Sequence, residues 1–298
     1  MTDINYKHFS CSELSIKVRE ELLATTPRVD VWFLLEYRGA WTDKPFLDSK
    51  IPEGVKKRIN LRLETIQNSR LQLIKRHDNS GDMLKFYVAK SDELEPKLFE
   101  CDFGSYEELN DLDINEILEG NSYLREEPLF LVCTNGAYDK CCGNYGFSVY
   151  LEAAKNENGF SIWQTTHLGG HRFAANVLLL PYGIYYGRVR KENINDFIKC
   201  SMIKNIDLAH YRGRSCYVKD VQAAEYFLRT KTGINEISAF RFISLRSLDK
   251  ENSIIEFISE SDGKAHRVNI RKNKEAFMNY TSCKDQEKSP VAQYRLIK

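Results

Sequence analysis

Two hydrophobic periods alternate along this chain, and the switches between them mark out its elements. Residues 30–37, DVWFLLEY, form an unbroken apolar run closed by Arg38-Gly39, the pattern of a buried strand. Residues 51–67 place Val55, Ile59, Leu63 and Ile66 at helical spacing, with Pro52 near the start. Strands are predicted at 70–76, bracketed by Asn68-Ser69 and Asn79-Ser80-Gly81, and at 83–90 and 97–103. Ser105 and Glu108 have capping-box spacing and predict a helix reaching Leu118.

After Glu126-Glu127-Pro128 the same order returns, about 100 residues on. It runs as a strand at 129–133, a helix at 145–155, a strand at 160–165, a hairpin of 174–180 and 184–189 around Pro181-Tyr182-Gly183, and a helix at 193–203. The tail predicts a helix from Asp220 with Val221, Ala224 and Leu228 on one face, then strands at 239–245, 253–259 and 265–270. Residues 272–288 are polar and read as a loop, and 291–297 as an edge strand. The expected fold is α/β: two tandem units followed by a C-terminal helix and antiparallel strands. The expected boundaries are 1–125, 126–215 and 216–298.

Composition narrows the function. A net charge of +1 argues against general binding to nucleic acid or to an acidic membrane surface. No apolar run approaches the roughly 20 residues that span a bilayer, and the first thirty residues carry Asp3, Glu13, Glu20 and Glu21 without a signal-peptide apolar core. A cytoplasmic protein is expected. Cys11, Cys101, Cys200 and Cys216 are scattered beside apolar residues and read as buried small hydrophobes. In a reducing compartment, clustered cysteines point to metal or catalysis rather than disulfides.

The chemistry concentrates in residues 133–189. Cys133, Cys142, His167 and His171 supply two thiols and two imidazoles, a donor set suited to zinc or an iron–sulfur cluster. Cys133 ends a buried strand, at the sheet edge where α/β ligand sites gather. Cys142 falls where the next helix begins, a position that favours a thiolate. Gly169-Gly170 disfavours a helix between the histidines, so they converge from a loop whose amides are free to donate. Zinc with two cysteines and two histidines is chemically sound, although eight residues separate Cys133 from Cys142 where zinc pairs usually have two to four. A purely structural role also stays open.

CTNGAYDKCC followed by THLGGHRFAANVLLLPYGIYYGRV resembles the signature of the sucrase/ferredoxin-like proteins. The resemblance extends to WFLLEYRGAW and RGRSCYVKDVQAAEYFLR and so takes in most of the chain. It implies a thioredoxin-like ferredoxin domain, which falls in the second unit. The repeated element order makes the first a thioredoxin-like unit too, one without ligands, since it has Arg38-Gly39-Ala40-Trp41 after its first strand and His77 alone after its second. It also implies a [2Fe–2S] cluster held by Cys133, Cys142, His167 and His171. Cys141 competes for the second position, and the family's spacing from Asp139 selects Cys142. Asn135 departs from the pattern, since relatives often have a histidine there.

Histidine-ligated clusters of the Rieske kind run from about −150 to +300 mV, against about −400 mV for plant-type ferredoxins. The expected function is therefore single-electron transfer between redox proteins, with a proton following through the ligand imidazoles, rather than substrate conversion. Two alternatives stand beside it: a zinc-stabilised interaction protein, and a thiol oxidoreductase using Cys141 or Cys142. Arg172 and the basic Arg212-Gly213-Arg214 are candidates for partner docking, weighed against a core ion pair and a solvated turn. Tyr182, Tyr185, Tyr186, Trp32 and Trp41 read as packing. No phosphate loop, dinucleotide fingerprint or serine–histidine–acid pattern is present.

Overall fold

A computed structural model describes residues 9–78 and 81–297. The architecture is mixed α/β, with a nine-stranded mixed sheet and a separate four-stranded antiparallel sheet. The first half contains β1 (Val31–Glu36), α2 (Glu53–Thr65), β2 (Ser69–Lys75), β3 (Leu84–Lys90) and β4 (Lys97–Phe103), preceded by α1 (Cys11–Lys17). β1 pairs parallel with β2 and antiparallel with β3, which pairs antiparallel with β4. The second half contains β5 (Leu129–Cys133), α4 (Phe147–Ala154), β6 (Ser161–Thr165), β7 (Val177–Leu180), β8 (Ile184–Tyr186) and α5 (Ile194–Met202). Its pairings repeat the first half's: β5 parallel to β6, antiparallel to β7, and β7 antiparallel to β8.

The halves join through a short antiparallel contact of β2 with β6, at Ile74–Thr165 and Lys75–Gln164. That narrow seam lets the sheet fold over on itself. Trp32 of β1 and Tyr185 of β8, with four strands between them in the sheet, have ring centroids 6.0 Å apart. Tyr87 of β3 meets Trp163 of β6 at 5.9 Å.

The period of two in the strands decides which residues meet where. Val31, Phe33 and Leu35 pack with Val55 and Ile59 of α2 on the outer face of the first half. Phe130 and Val132 pack with Val149 and Phe197, from α4 and α5, on the outer face of the second. The intervening residues, Trp32 and Leu34 from β1 and Leu129, Leu131 and Cys133 from β5, share one core between the halves. Strands buried on both faces must read as continuous apolar runs, as β1 and β5 do. Cys133, the last residue of β5, therefore points into the core between the halves.

β9 (Tyr211–Arg214) extends the large sheet beside β8. α6 (Lys219–Thr232) then packs Val221, Ala224 and Leu228 on the C-terminal meander of β10 (Phe240–Ser247), β11 (Asn252–Ser259), β12 (Ala265–Asn279) and β13 (Ser289–Ile297). Among the described residues no helix is long and apolar enough to cross a membrane.

Three sequence expectations are corrected. The capping box forms, with the Glu108 carboxylate accepting the Ser105 amide at 3.0 Å, but it starts only a short 3₁₀ turn, Tyr106–Asn110. α3 (Ile114–Glu119) begins afresh behind its own cap, Asp113, which supplies a better acceptor for the amides of Asn115 and Glu116. The polar stretch 272–288 is not one loop: β12 runs through it to Asn279, because a strand at a sheet with one face in water needs apolar residues only at alternate positions. Arg212 and Arg214 lie in β9 and are fully buried, not on a solvated turn.

Candidate metal centre

The strand β5 ends at Cys133, and the chain then loops through residues 134–141 into a π-helical turn, Cys142–Gly146, that leads straight into α4. The turn approaches β5 so closely that a Cβ on Gly146 would fall on the Cys133 carbonyl oxygen. This contact brings Cys142 back beside Cys133. Their sulfurs and Nδ1 of His167 form one group whose ligand atoms all lie within 4.8 Å of one another. His167 Nδ1 is 3.6 Å from Cys142 Sγ and 3.9 Å from Cys133 Sγ. His171 stands behind His167, its Nδ1 3.3 Å from His167 Nε2. Its Nε2 lies 3.9 Å from Oδ2 of the buried Asp139.

The loop carrying the histidines is fixed from behind. The His167 carbonyl accepts from Arg70 Nη2 at 2.6 Å, and the Leu168 carbonyl from Arg70 Nη1 at 3.2 Å and the Tyr185 hydroxyl at 3.3 Å. The Gly169 carbonyl accepts from Arg212 Nη1 at 3.0 Å, and the Gly170 carbonyl from Asn176 Nδ2 at 2.9 Å. Gly169 and Gly170 have φ of +97° and +72°, so the loop needs residues without a side-chain penalty there. With four consecutive carbonyls turned outward, the Leu168 amide is left to donate to Cys133 Sγ.

The electrostatics favour one thiolate in the pair. Hydrogen bonding from Cys142 holds the Cys133 thiol well below its ordinary range, while the same contact pushes Cys142 up. Burial lowers His171, partly offset by Asp139, so its ring is neutral and able to ligate. Tyr138 stacks on His167 with centroids 4.0 Å apart and planes 12° apart, and it is partly exposed. Beside them opens a groove of about 420 Å³, lined by Asp43, Lys44, Phe46, Arg70, Tyr138 and His167 among others.

The donors thus come as a thiol pair and an imidazole pair, both largely withdrawn from water. Soft sulfur with borderline nitrogen fits an iron–sulfur cluster, which needs two protein donors on each iron, and it equally suits zinc.

The structure separates Cys141 from this group. Its sulfur lies 3.6 Å from Cys11 Sγ and 3.3 Å from Cys283 Sγ, in a second group completed by Asp139. Sequence spacing does not point to Cys11 or Cys283: Cys11 reads as an isolated small hydrophobe, and Cys283 sits in a polar tail. The signal was the Cys141-Cys142 doublet, which gives the loop one thiol more than a four-donor set uses. Asn135 is buried and donates to the Thr42 carbonyl at 3.0 Å, tying the motif loop to the first half. Arg172 pairs with Glu20 at 2.7 Å, the core-linking alternative rather than a free docking cation.

A family described as sucrase/ferredoxin-like matches residues 22–213, well over half of the chain. The "Altered inheritance of mitochondria protein 32" of Meyerozyma guilliermondii is 29% identical over 97 residues, which take in 29% of this chain and 34% of that protein. The chain thus spans about a third of that relative's length. Among solved structures, a thioredoxin-like [2Fe–2S] ferredoxin from Aquifex aeolicus aligns with a TM-score of 0.23 and 15% identity, covering 26% of this chain and 82% of its own. Its Cys55Ser variant gives the same TM-score at 14% identity, covering 25% of this chain and 86% of its own.

Proposed function

The chain belongs to the sucrase/ferredoxin-like family, and from that premise we propose that it is a [2Fe–2S] redox protein passing single electrons between protein partners. Cys133, Cys142, His167 and His171 are the ligands. The observation that carries this is the convergence of two buried thiols with His167 Nδ1 at the end of β5, with His171 Nδ1 next in line, 3.3 Å from His167 Nε2. When bound, the cluster accepts and returns one electron.

The chain's own residues set the conditions for that exchange. Arg70, Tyr185, Arg212 and Asn176 hold the histidine loop rigid, and the Leu168 amide stabilises negative charge on Cys133. A proton taken up with the electron resides at His171 Nε2, which faces the Asp139 carboxylate. Redox partners approach at the groove where Tyr138 and His167 come nearest the surface. The two halves, 1–125 and 126–215, are tandem thioredoxin-like units of which only the second carries ligands, with 216–298 as an appended helix and sheet. The cytoplasm is the compartment proposed, since eight cysteines without a disulfide suit a reducing medium.

The test is iron and acid-labile sulfide analysis on protein purified without oxygen, read with its visible spectrum. Two irons and two sulfides per chain, on the order set by a single [2Fe–2S] centre, are expected. A second reading is a zinc site, favoured by the close convergence of Cys133, Cys142 and His167, whose ligand atoms lie within the reach of a single ion. Zinc without sulfide or colour, persisting after cluster reconstitution, would establish that reading instead. Thiol exchange at Cys141 or Cys142 is disfavoured, because both sulfurs are almost wholly buried.

A further inference from the structure

The second sulfur group lies outside the donor set assigned above, and three remote segments build it. Cys11 opens α1, Asp139 and Cys141 come from the motif loop, and Cys283 comes from the turn between β12 and β13. We propose that Cys11, Cys141, Cys283 and Asp139 form a second metal site that binds one zinc ion and clasps both ends of the chain onto the loop supplying Cys142.

Geometry supports a single tetrahedral ion. Zinc–sulfur bonds of about 2.3 Å place neighbouring sulfurs about 3.8 Å apart around a tetrahedron. Here Cys11 and Cys141 are 3.6 Å apart, Cys141 and Cys283 3.3 Å, and Cys11 Sγ lies 3.9 Å from Asp139 Oδ1. All four ligand atoms lie within 4.8 Å of one another, with no fifth His, Cys, Asp or Glu in the group among the described residues, and the Ser10 hydroxyl lies 3.3 Å from Cys141 Sγ. Three thiols and a carboxylate are a donor set for a borderline-soft ion, and the absence of an open position marks a structural rather than a catalytic site. A disulfide would use two of the three sulfurs and leave the third without a partner bond.

The surroundings orient these donors as an outer shell does around a metal. Asp139 accepts the Cys141 amide at 2.9 Å on Oδ1, and the Cys283 amide at 2.9 Å and the Ser282 hydroxyl at 3.1 Å on Oδ2. The Cys11 amide donates to Cys283 Sγ at 3.4 Å. Asp285 Oδ2 accepts the amides of Thr281 and Ser282, both at 2.8 Å, and so shapes the turn that presents Cys283. Asp139 also faces His171, so the clasp adjoins the first centre without sharing its sulfurs.

The experiment measures zinc, iron and acid-labile sulfide per chain on the full-length protein and on Cys283→Ser, Cys11→Ser and Cys133→Ser, with zinc-edge X-ray absorption on the unmodified chain. The expected result is about one zinc per chain, surrounded by three sulfurs at about 2.3 Å and one oxygen at about 2.0 Å. Zinc is lost in Cys283→Ser and Cys11→Ser and kept in Cys133→Ser. The test separates this proposal from the reading of the first centre: with a cluster there, iron and sulfide follow Cys133 and zinc follows Cys283; with zinc there, two zincs are expected, one lost in Cys133→Ser and the other in Cys283→Ser. Zinc with two sulfur and two nitrogen neighbours, lost in Cys133→Ser alone, would assign it to the first centre and overturn the proposal. So would a protein that takes up no zinc on supplementation, or one with two thiols fewer than reduction exposes, which would show a disulfide. The absorption spectrum needs no variant, so a misfolded Cys283→Ser leaves the outcome decisive.

Discussion

Cys141 and Cys142 are neighbours in the chain, yet their sulfurs belong to different groups: Cys142 Sγ lies 3.6 Å from His167 Nδ1, and Cys141 Sγ lies 3.6 Å from Cys11 Sγ. One step along a helical turn rotates a side chain by about 100°, enough to send adjacent thiols to opposite sides of the loop. On the assignment proposed above, a cluster at the first group and zinc at the second, substituting them should separate the two metals. Cys142→Ser is expected to lose most iron and visible absorption and to retain zinc. Cys141→Ser is expected to keep its iron and lose zinc. Metal analysis of the two purified variants checks this, and equal loss of iron in both would contradict the division.

Gly146 permits the contact that brings Cys142 to Cys133. A methyl group there collides with the Cys133 carbonyl, a backbone atom that cannot rotate away. Gly146→Ala should destabilise the chain by about 3 kcal/mol, at the upper end of overpacking costs, and impair cluster retention. Urea unfolding gives the first quantity and iron content the second. A variant with unchanged stability would show that the turn can shift outward.

Away from both sulfur groups, Glu225 is fully buried and pairs with Arg214 at 3.0 Å and Arg229 at 2.9 Å, while the Tyr211 hydroxyl donates to it. Burial pushes this carboxyl up, but the two guanidinium groups outweigh it and hold its pKa below the ordinary value. A carboxyl depressed in the folded state stabilises the fold above its unfolded pKa, and that stability disappears as pH falls through the folded value. Glu225→Gln should cost about 3–5 kcal/mol near neutral pH, since two arginines are left buried without a counter-charge. The gap between parent and variant should narrow in acid. Chemical denaturation across the acidic range measures it, and a gap that stays constant there would refute the linkage.

Much of the sheet is legible in the chain because its strands are either buried on both faces, as DVWFLLEY is, or bounded by turn residues. Cys133, Cys142, His167 and His171 stand out for the same reason: local spacing and residue type carry the signal. What escapes is set by contacts over long separations. Cys11 and Cys283 lie 272 residues apart and meet only because α1 and the β12–β13 turn converge on the motif loop. Arg212-Gly213-Arg214 reads as a polar turn because buried arginines look like exposed ones until their acceptors are in place. β9 is short, and only its pairing with β8 makes it a strand.

Arg212 offers the sharpest functional test of those hidden residues. It is fully buried, stacks on Phe173 and Tyr185, and spends its donors on Thr25, Gly169 and Asn176, with no carboxylate among them. Burial lowers its pKa to about 10, yet at neutral pH it remains a fixed cation behind the histidine loop. Reduction of the proposed cluster would add negative charge to the centre, and a nearby buried cation favours the reduced form because little water screens the interaction. Arg212→Gln should therefore lower the midpoint potential, whereas Arg212→Lys, which keeps the charge but loses part of the hydrogen bonding, should stay closer to the parent. Redox titration of the three proteins at neutral pH distinguishes charge from scaffolding. Equal shifts in both variants would mean that Arg212 acts by holding the Gly169 carbonyl rather than through its field.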